Sequence, residues 1–188
     1  MWRKRINIWL VASLVGGVLY PLLVYVSLPY APPFTFVLVG LGLIALRLWG
    51  ARHDGTMAIW GVALLFAALA LGILSALSPN FAVKAYPSLI SAAIAGAFAT
   101  TLISPPSMVE RFARIREPDL SLDGQIYTRR VTQVWTGFLV VNSAIAAVTA
   151  LWGTVEQWTL WNGLISYLLI GGLFVGEIAV RRFVRRNT

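Results

Sequence analysis

Nine of the chain's 22 charged residues fall in one stretch, SPPSMVERFARIREPDLSLDGQIYTRR, residues 104–130. Glu110, Arg111 and Arg114 sit close together there, with Tyr127, Arg129 and Arg130 following. Such a group suits proton transfer or the binding of an anionic surface. Elsewhere the polar candidates are sparse. Glu177 is followed four residues later by Arg181, the favourable order for an ion pair along one helix face. Asn142 and Asn162 place amides inside apolar runs, where an unpaired polar group is costly. Acid/base catalysis needs a second titratable group at the same depth as the first, and Glu177 has none. The single histidine, His53, stands beside Asp54 in GARHDG, and adjacent residues in a Gly-flanked loop rarely point together. With no cysteine and no second histidine, a metal site lacks ligands and thiol chemistry is excluded. We expect no metal and no cofactor.

The elements that carry these groups are greasy. Of 188 residues 59% are hydrophobic and 12% charged, and the mean hydropathy is +0.78, far outside the soluble range. A net charge of +8 could suggest nucleic acid, but such binders carry their bases on one exposed stripe in polar surroundings. Here the bases lie between apolar runs, so no nucleic-acid partner is expected. A crossing of about 30 Å of hydrocarbon needs roughly 20 apolar residues. Residues 8–28, 34–49, 58–77, 85–103, 131–152 and 159–180 come close. The second is short, and crosses if Arg47 snorkels to the headgroups. The basic N-terminus followed by an apolar run reads as an uncleaved signal anchor.

Lys and Arg accumulate in cytoplasmic loops. Six crossings put Arg3, Lys4, Arg5, Arg47, Arg52, Arg111, Arg114, Arg116, Arg129, Arg130, Arg181, Arg182, Arg185 and Arg186 on one side and Lys84 alone on the other. The expected fold is therefore all-α: a polytopic membrane protein forming one integral domain, residues 1–188, with six transmembrane helices and both termini cytoplasmic.

Residues 104–130 then form the central cytoplasmic loop. Ser107 and Glu110 have capping-box spacing, and Pro118 ends the helix that they start. Met108, Val109, Phe112 and Ile115 share one arc of it, Glu110, Arg111, Arg114 and Glu117 the other. A short amphipathic helix of this kind lies in the headgroup plane or binds a partner. Asp123-Gly124 reads as a tight turn. Tyr127 and Trp135 read as an interfacial anchor around Arg129 and Arg130, and Trp152, Trp158 and Trp161 as the belt on the other face. Asn142 and Asn162 can bridge neighbouring helices, or, with Tyr167, line a polar path. Gly16, Gly40, Gly42 and Gly171 read as close helix contacts. The Tyr-Pro pairs at residues 20–21 and 86–87, one mid-helix and one at a helix start, are the faint basis for an inverted repeat.

From Tyr86 onward, PPSMVERFAR, YTRRVTQVW, NSAIA, WTLWNGLISYLLIG and a closing Glu followed by Arg together resemble a family of small bacterial inner-membrane proteins. Such proteins resemble those encoded beside the fatty-acid-like synthases of aryl polyene and xanthomonadin-type pigments. Trp135, Phe138 and Asn142 in one span, followed by Trp158, are also similar to septation protein A in architecture. The resemblance implies a membrane lipid or pigment pathway and supplies no catalytic residue. On that basis the expected function is an accessory of the inner membrane that docks a soluble synthase component or acidic acyl carrier through residues 104–130. Its partners would be the lipid bilayer and that carrier, and oligomers are compatible with it. A lipid or polyene transporter, and a membrane-embedded lipid-modifying enzyme using Glu110 or Glu177, are the alternatives. The residues singled out are Glu110, Arg111, Arg114, Tyr127, Arg129, Arg130, Trp135, Asn142, Asn162, Glu177 and Arg181.

Overall fold

A computed structural model describes residues 8–53, 57–115 and 117–186. Arg3, Lys4, Arg5, Asp54 and Arg116 lie outside the described residues, as do the side chains of His53, Arg182, Arg185 and Arg186. The elements are all helical: α1 (Ile8–Ser27), α2 (Pro33–His53), α3 (Met57–Leu77), α4 (Pro79–Ile103), α5 (Met108–Arg114), α6 (Leu122–Trp152), α7 (Val155–Leu160), a π-turn (Trp161–Ile165) and α8 (Ser166–Arg186). Among the described residues, five helical stretches are long and apolar enough to cross a membrane, and α1 adds a shorter apolar stretch, Val11–Ser27.

Several boundaries differ from the sequence expectation. The second apolar helix runs 21 residues, through Gly50 to His53, so it needs no snorkelling arginine to reach across. Helix α4 begins at Pro79, not residue 85, because Pro is tolerated in the first turn where its missing N–H has no partner to lose. The Asp123-Gly124 pair is no turn: it lies in the first turn of α6, where the N-cap Ser121 hydroxyl accepts from the Gly124 amide at 3.2 Å. At 31 residues, α6 is about 46 Å long, roughly 16 Å more than the hydrocarbon. Its charged end, Leu122 to Arg130, is the part that projects.

Helix α4 is the hub. Along its contact with α6, the small Ala92, Ala95, Gly96 and Ala99 of α4 line a shared groove with Thr136 and Ser143 of α6, which lets the backbones approach. Ser88 Oγ donates to Ser143 O at 2.9 Å, and Ser143 Oγ donates back to Ser88 O at 3.0 Å. At the end away from the charged loop, Trp158 is wholly buried and its Nε1–H donates to Lys84 O at 2.9 Å. It closes the α6–α7 corner onto α4 and is no interfacial belt residue. Trp152, by contrast, is 78% exposed.

Both Tyr-Pro pairs lie inside helices, and their rings meet, with Tyr20 and Tyr86 centroids 4.5 Å apart. Each proline lacks the N–H that would bond the carbonyl four residues earlier. Pro87 thereby frees Val83 O, and Tyr20 Oη, from α1, donates to it at 3.0 Å. Pro21 frees Gly17 O, and Tyr167 Oη, from α8, donates to it at 3.3 Å. In each case a neighbouring helix supplies the donor that the proline removed, which is what makes a proline tolerable where water is absent.

Tyr20→Phe is predicted to destabilise the detergent-solubilised protein by about 1–2 kcal/mol, because it orphans a buried carbonyl. The double-mutant cycle is the sharper measurement. Pro87→Ala restores an N–H to Val83 O, so the cost of Tyr20→Phe should fall by about half or more in that background. Additive effects would show that Tyr20 serves packing alone.

Candidate functional site

The site is built where α5 folds back on the projecting end of α6. Met108 is buried, and the Val109 amide donates to Thr132 Oγ1 at 3.1 Å. Thr132, itself buried, donates onward to Thr128 O at 2.8 Å. Ser107 and Glu110 are both in capping positions: the Ser107 amide donates to Glu110 Oε2 at 3.3 Å. The Ser107 hydroxyl is buried and unpartnered, so the carboxylate half of the box carries the cap, with Thr132 satisfying the next amide.

Glu110 is 7% exposed, contrary to its expected place on an outward polar arc. Arg114 closes over it, Nε at 2.9 Å and Nη2 at 2.8 Å from Glu110 Oε1, while Arg114 Nη1 donates to Pro118 O at 2.9 Å. Arg111 Nε donates to Pro106 O at 2.8 Å. The two arginines of α5 are thus occupied holding α5 and its following turn in shape. What the unit presents is different: Phe112 and Ile115, 57% and 59% exposed, and the exposed Arg129 and Arg130 of α6. The expected arcs are reversed in part, because tertiary bonding to α6 and Arg114 outweighs the helix's own polarity.

The remaining candidates are scattered. Trp135 is buried, edge-on to Phe138 at 6.1 Å and tilted on Phe174 at 4.7 Å, so it pins α8 to α6 and is no headgroup anchor. Tyr127 is half-buried with its hydroxyl 3.5 Å from Glu177 O. Glu177 and the exposed Arg181 form no ion pair, unlike Glu110 and Arg114. An exposed pair gains little over solvation, which removes the drive to close it. Asn142 and Asn162 do not bridge to each other. Asn142 Nδ2 donates to Ser91 Oγ on α4 at 3.0 Å, and Asn162 Nδ2 donates to Trp158 O at 2.9 Å and Thr149 Oγ1 at 3.4 Å. With Tyr167 bonded to α1, the three polar groups expected along a path lie on three different seams.

Sequence reasoning missed Thr132, whose signal was only a hydroxyl near the start of an apolar run. It also misplaced Arg47. Instead of snorkelling outward, Arg47 turns in toward the middle of α1: a methyl added at Gly17 would lie 2.8 Å from its Nη2. Its Nε is buried without a hydrogen-bond partner. The glycines divide similarly. Gly16, Gly17 and Gly40 face close neighbours, whereas a side chain at Gly42 or Gly171 would meet nothing.

No protein-family model, curated protein or solved structure matches the chain.

Thr132→Val is predicted to loosen α5 without unfolding the bundle, raising amide hydrogen exchange across Val109–Arg114 by a factor matching about 1 kcal/mol. Glu110→Ala should raise it further, since Arg114 then loses a charge-assisted partner worth about 1.5–3 kcal/mol. Unchanged exchange in both would mean that α5 is held by its apolar contacts alone.

Proposed function

We propose that the chain crosses a bacterial inner membrane six times with both ends in the cytosol, and serves as a non-enzymatic accessory that docks an acidic cytoplasmic protein. The partner favoured is an acyl carrier or a synthase component. Helix α1 is the sixth crossing: its 20 residues, Ile8–Ser27, run beside α2 and α4. With six crossings, every basic block shares one face, as expected for cytosolic loops. Five crossings would strand one of them outside.

The observation that carries the docking reading is the rigid unit of α5 and the projecting end of α6. Phe112 and Ile115 hold it at the acyl boundary, and Arg129 and Arg130 supply positive charge at headgroup height. Acidic carriers are drawn to such a surface from solution, mainly through a faster encounter. Because Arg114 is paired with Glu110 and Arg111 is tied to Pro106 O and only partly exposed, the docking surface centres on the exposed Arg129 and Arg130. The lipid-pathway context comes from the sequence resemblance.

Charge reversal at Arg129 and Arg130 together should cut co-purification of an acidic acyl carrier by about tenfold or more at low salt while membrane insertion is kept. Arg111→Gln, by contrast, should act only through the stability of α5. Full carrier binding by the doubly reversed protein would eliminate docking.

A further inference from the structure

The deep arginine raises a separate question. A guanidinium inside the hydrocarbon is costly unless an acceptor faces it, and intramembrane charges mark functional positions by default. Among the described residues no carboxylate pairs with Arg47. What surrounds it is a set of tyrosines. Tyr86 of α4 is 2% exposed, its ring lies against Gly40 two helical turns from Arg47 on α2, and its Oη has no hydrogen-bond partner. Tyr167 of α8 reaches Gly17 O, at the residue over which the Arg47 guanidinium lies.

Two donors, Arg47 Nε–H and Tyr86 Oη–H, are therefore buried without a protein acceptor where α1, α2 and α4 meet, Arg47 on Gly17 and Tyr86 on Tyr20, one turn along α1. Both can donate, and guanidinium is donor-only, so the group that satisfies the pair must accept. An oxyanion does so best: its charge offsets that of Arg47, and its two or more oxygens match the planar fork of the guanidinium. Two glycines make room. Gly17 lets the guanidinium lie against α1, and Gly40 lets the Tyr86 ring lie against α2, where a Cβ would come within 3.0 Å of it.

We propose that Arg47 and Tyr86, framed by Gly17, Gly40 and Tyr167, form an intramembrane site for the oxyanion head, carboxylate or phosphate, of an amphiphile dissolved in the bilayer. The depth of the site favours an anion carried on an apolar chain over one arriving from water. This site is independent of the α5–α6 docking surface and shares no residue with it.

The test uses the full chain in non-ionic detergent, with native mass spectrometry and fluorescence titration against three probes: oleate, phosphatidate and inorganic phosphate. Oleate or phosphatidate should bind, and inorganic phosphate should compete only at concentrations at least about a hundredfold higher, because it lacks the chain. Arg47→Gln should weaken binding by about tenfold or more, Arg47→Lys by less, and Tyr86→Phe by roughly three- to tenfold, each relative to an Arg129→Gln control that binds normally. Preference for oleate would identify a fatty-acid-like ligand, and preference for phosphatidate a phospholipid. Tyr86→Phe removes a single oxygen and keeps the ring against Tyr20, so it decides the matter even where the Arg47 variants do not fold. Binding of none of the probes, or affinities unchanged by both Arg47→Gln and Tyr86→Phe, would overturn the proposal.

Discussion

Within hydrocarbon no water is available to complete a broken backbone ladder, so each carbonyl that a proline releases has to find a donor on another helix. Val83 O and Gly17 O are released in this way, and Tyr20 and Tyr167 supply the donors. The consequence reaches beyond two hydrogen bonds. Tyr20 ties α1 to α4, and Tyr167 ties α8 to α1, so the first and last long helices are fastened to the hub through the defects that the prolines create. The serines of α4 and α6 add a second, reciprocal fastening, and Trp158 a third at the far corner.

This arrangement explains how the chain places polar groups at depth without leaving them all unsatisfied. Most are spent on structure: Asn142 on Ser91, Asn162 on Trp158 O and Thr149, Ser88 on Ser143. Buried polar atoms of Arg47 and Tyr86 are left unpartnered, as are the Thr159 hydroxyl, the Trp161 indole N–H and Asn142 Oδ1. At the charged end the same economy operates differently. Glu110 and Arg114 pair their charges within α5, Arg111 is tied to Pro106 O, and the exposed positions are Phe112, Ile115, Arg129 and Arg130. The two proposals therefore fall on separate parts of the bundle, the α5–α6 end and the interior around Arg47.

The apolar runs made the helices legible, because roughly 20 greasy residues in a row have few other outcomes. Helix ends were less so. Pro79 and the sequence Ser121-Leu-Asp-Gly both carried start signals, a first-turn proline and an N-cap serine, that were outweighed by reading Tyr86-Pro87 as a helix start and Asp-Gly as a turn. Burial of individual aromatics was not legible at all. Trp152 and Trp158 look alike in sequence, and only the corner made by α7 turns one into the core and leaves the other outside. The same holds for the candidate site. The capping residues of α5 could be named, but the burial of Glu110 depends on Thr132, 22 residues away, and on how Arg114 folds over it. Arg47 was counted as a headgroup base because its environment is set by a glycine on another helix.

The account rests on the bundle lying across a bilayer with the α5–α6 unit on one face and the Trp158 corner on the other. The chain has no cysteine, so single cysteines report directly. Asp119→Cys and Asn80→Cys, both at exposed positions, should be labelled by a membrane-impermeant maleimide from opposite sides: Asp119→Cys in inverted vesicles, Asn80→Cys in right-side-out ones. Labelling of both from the same side would contradict the account.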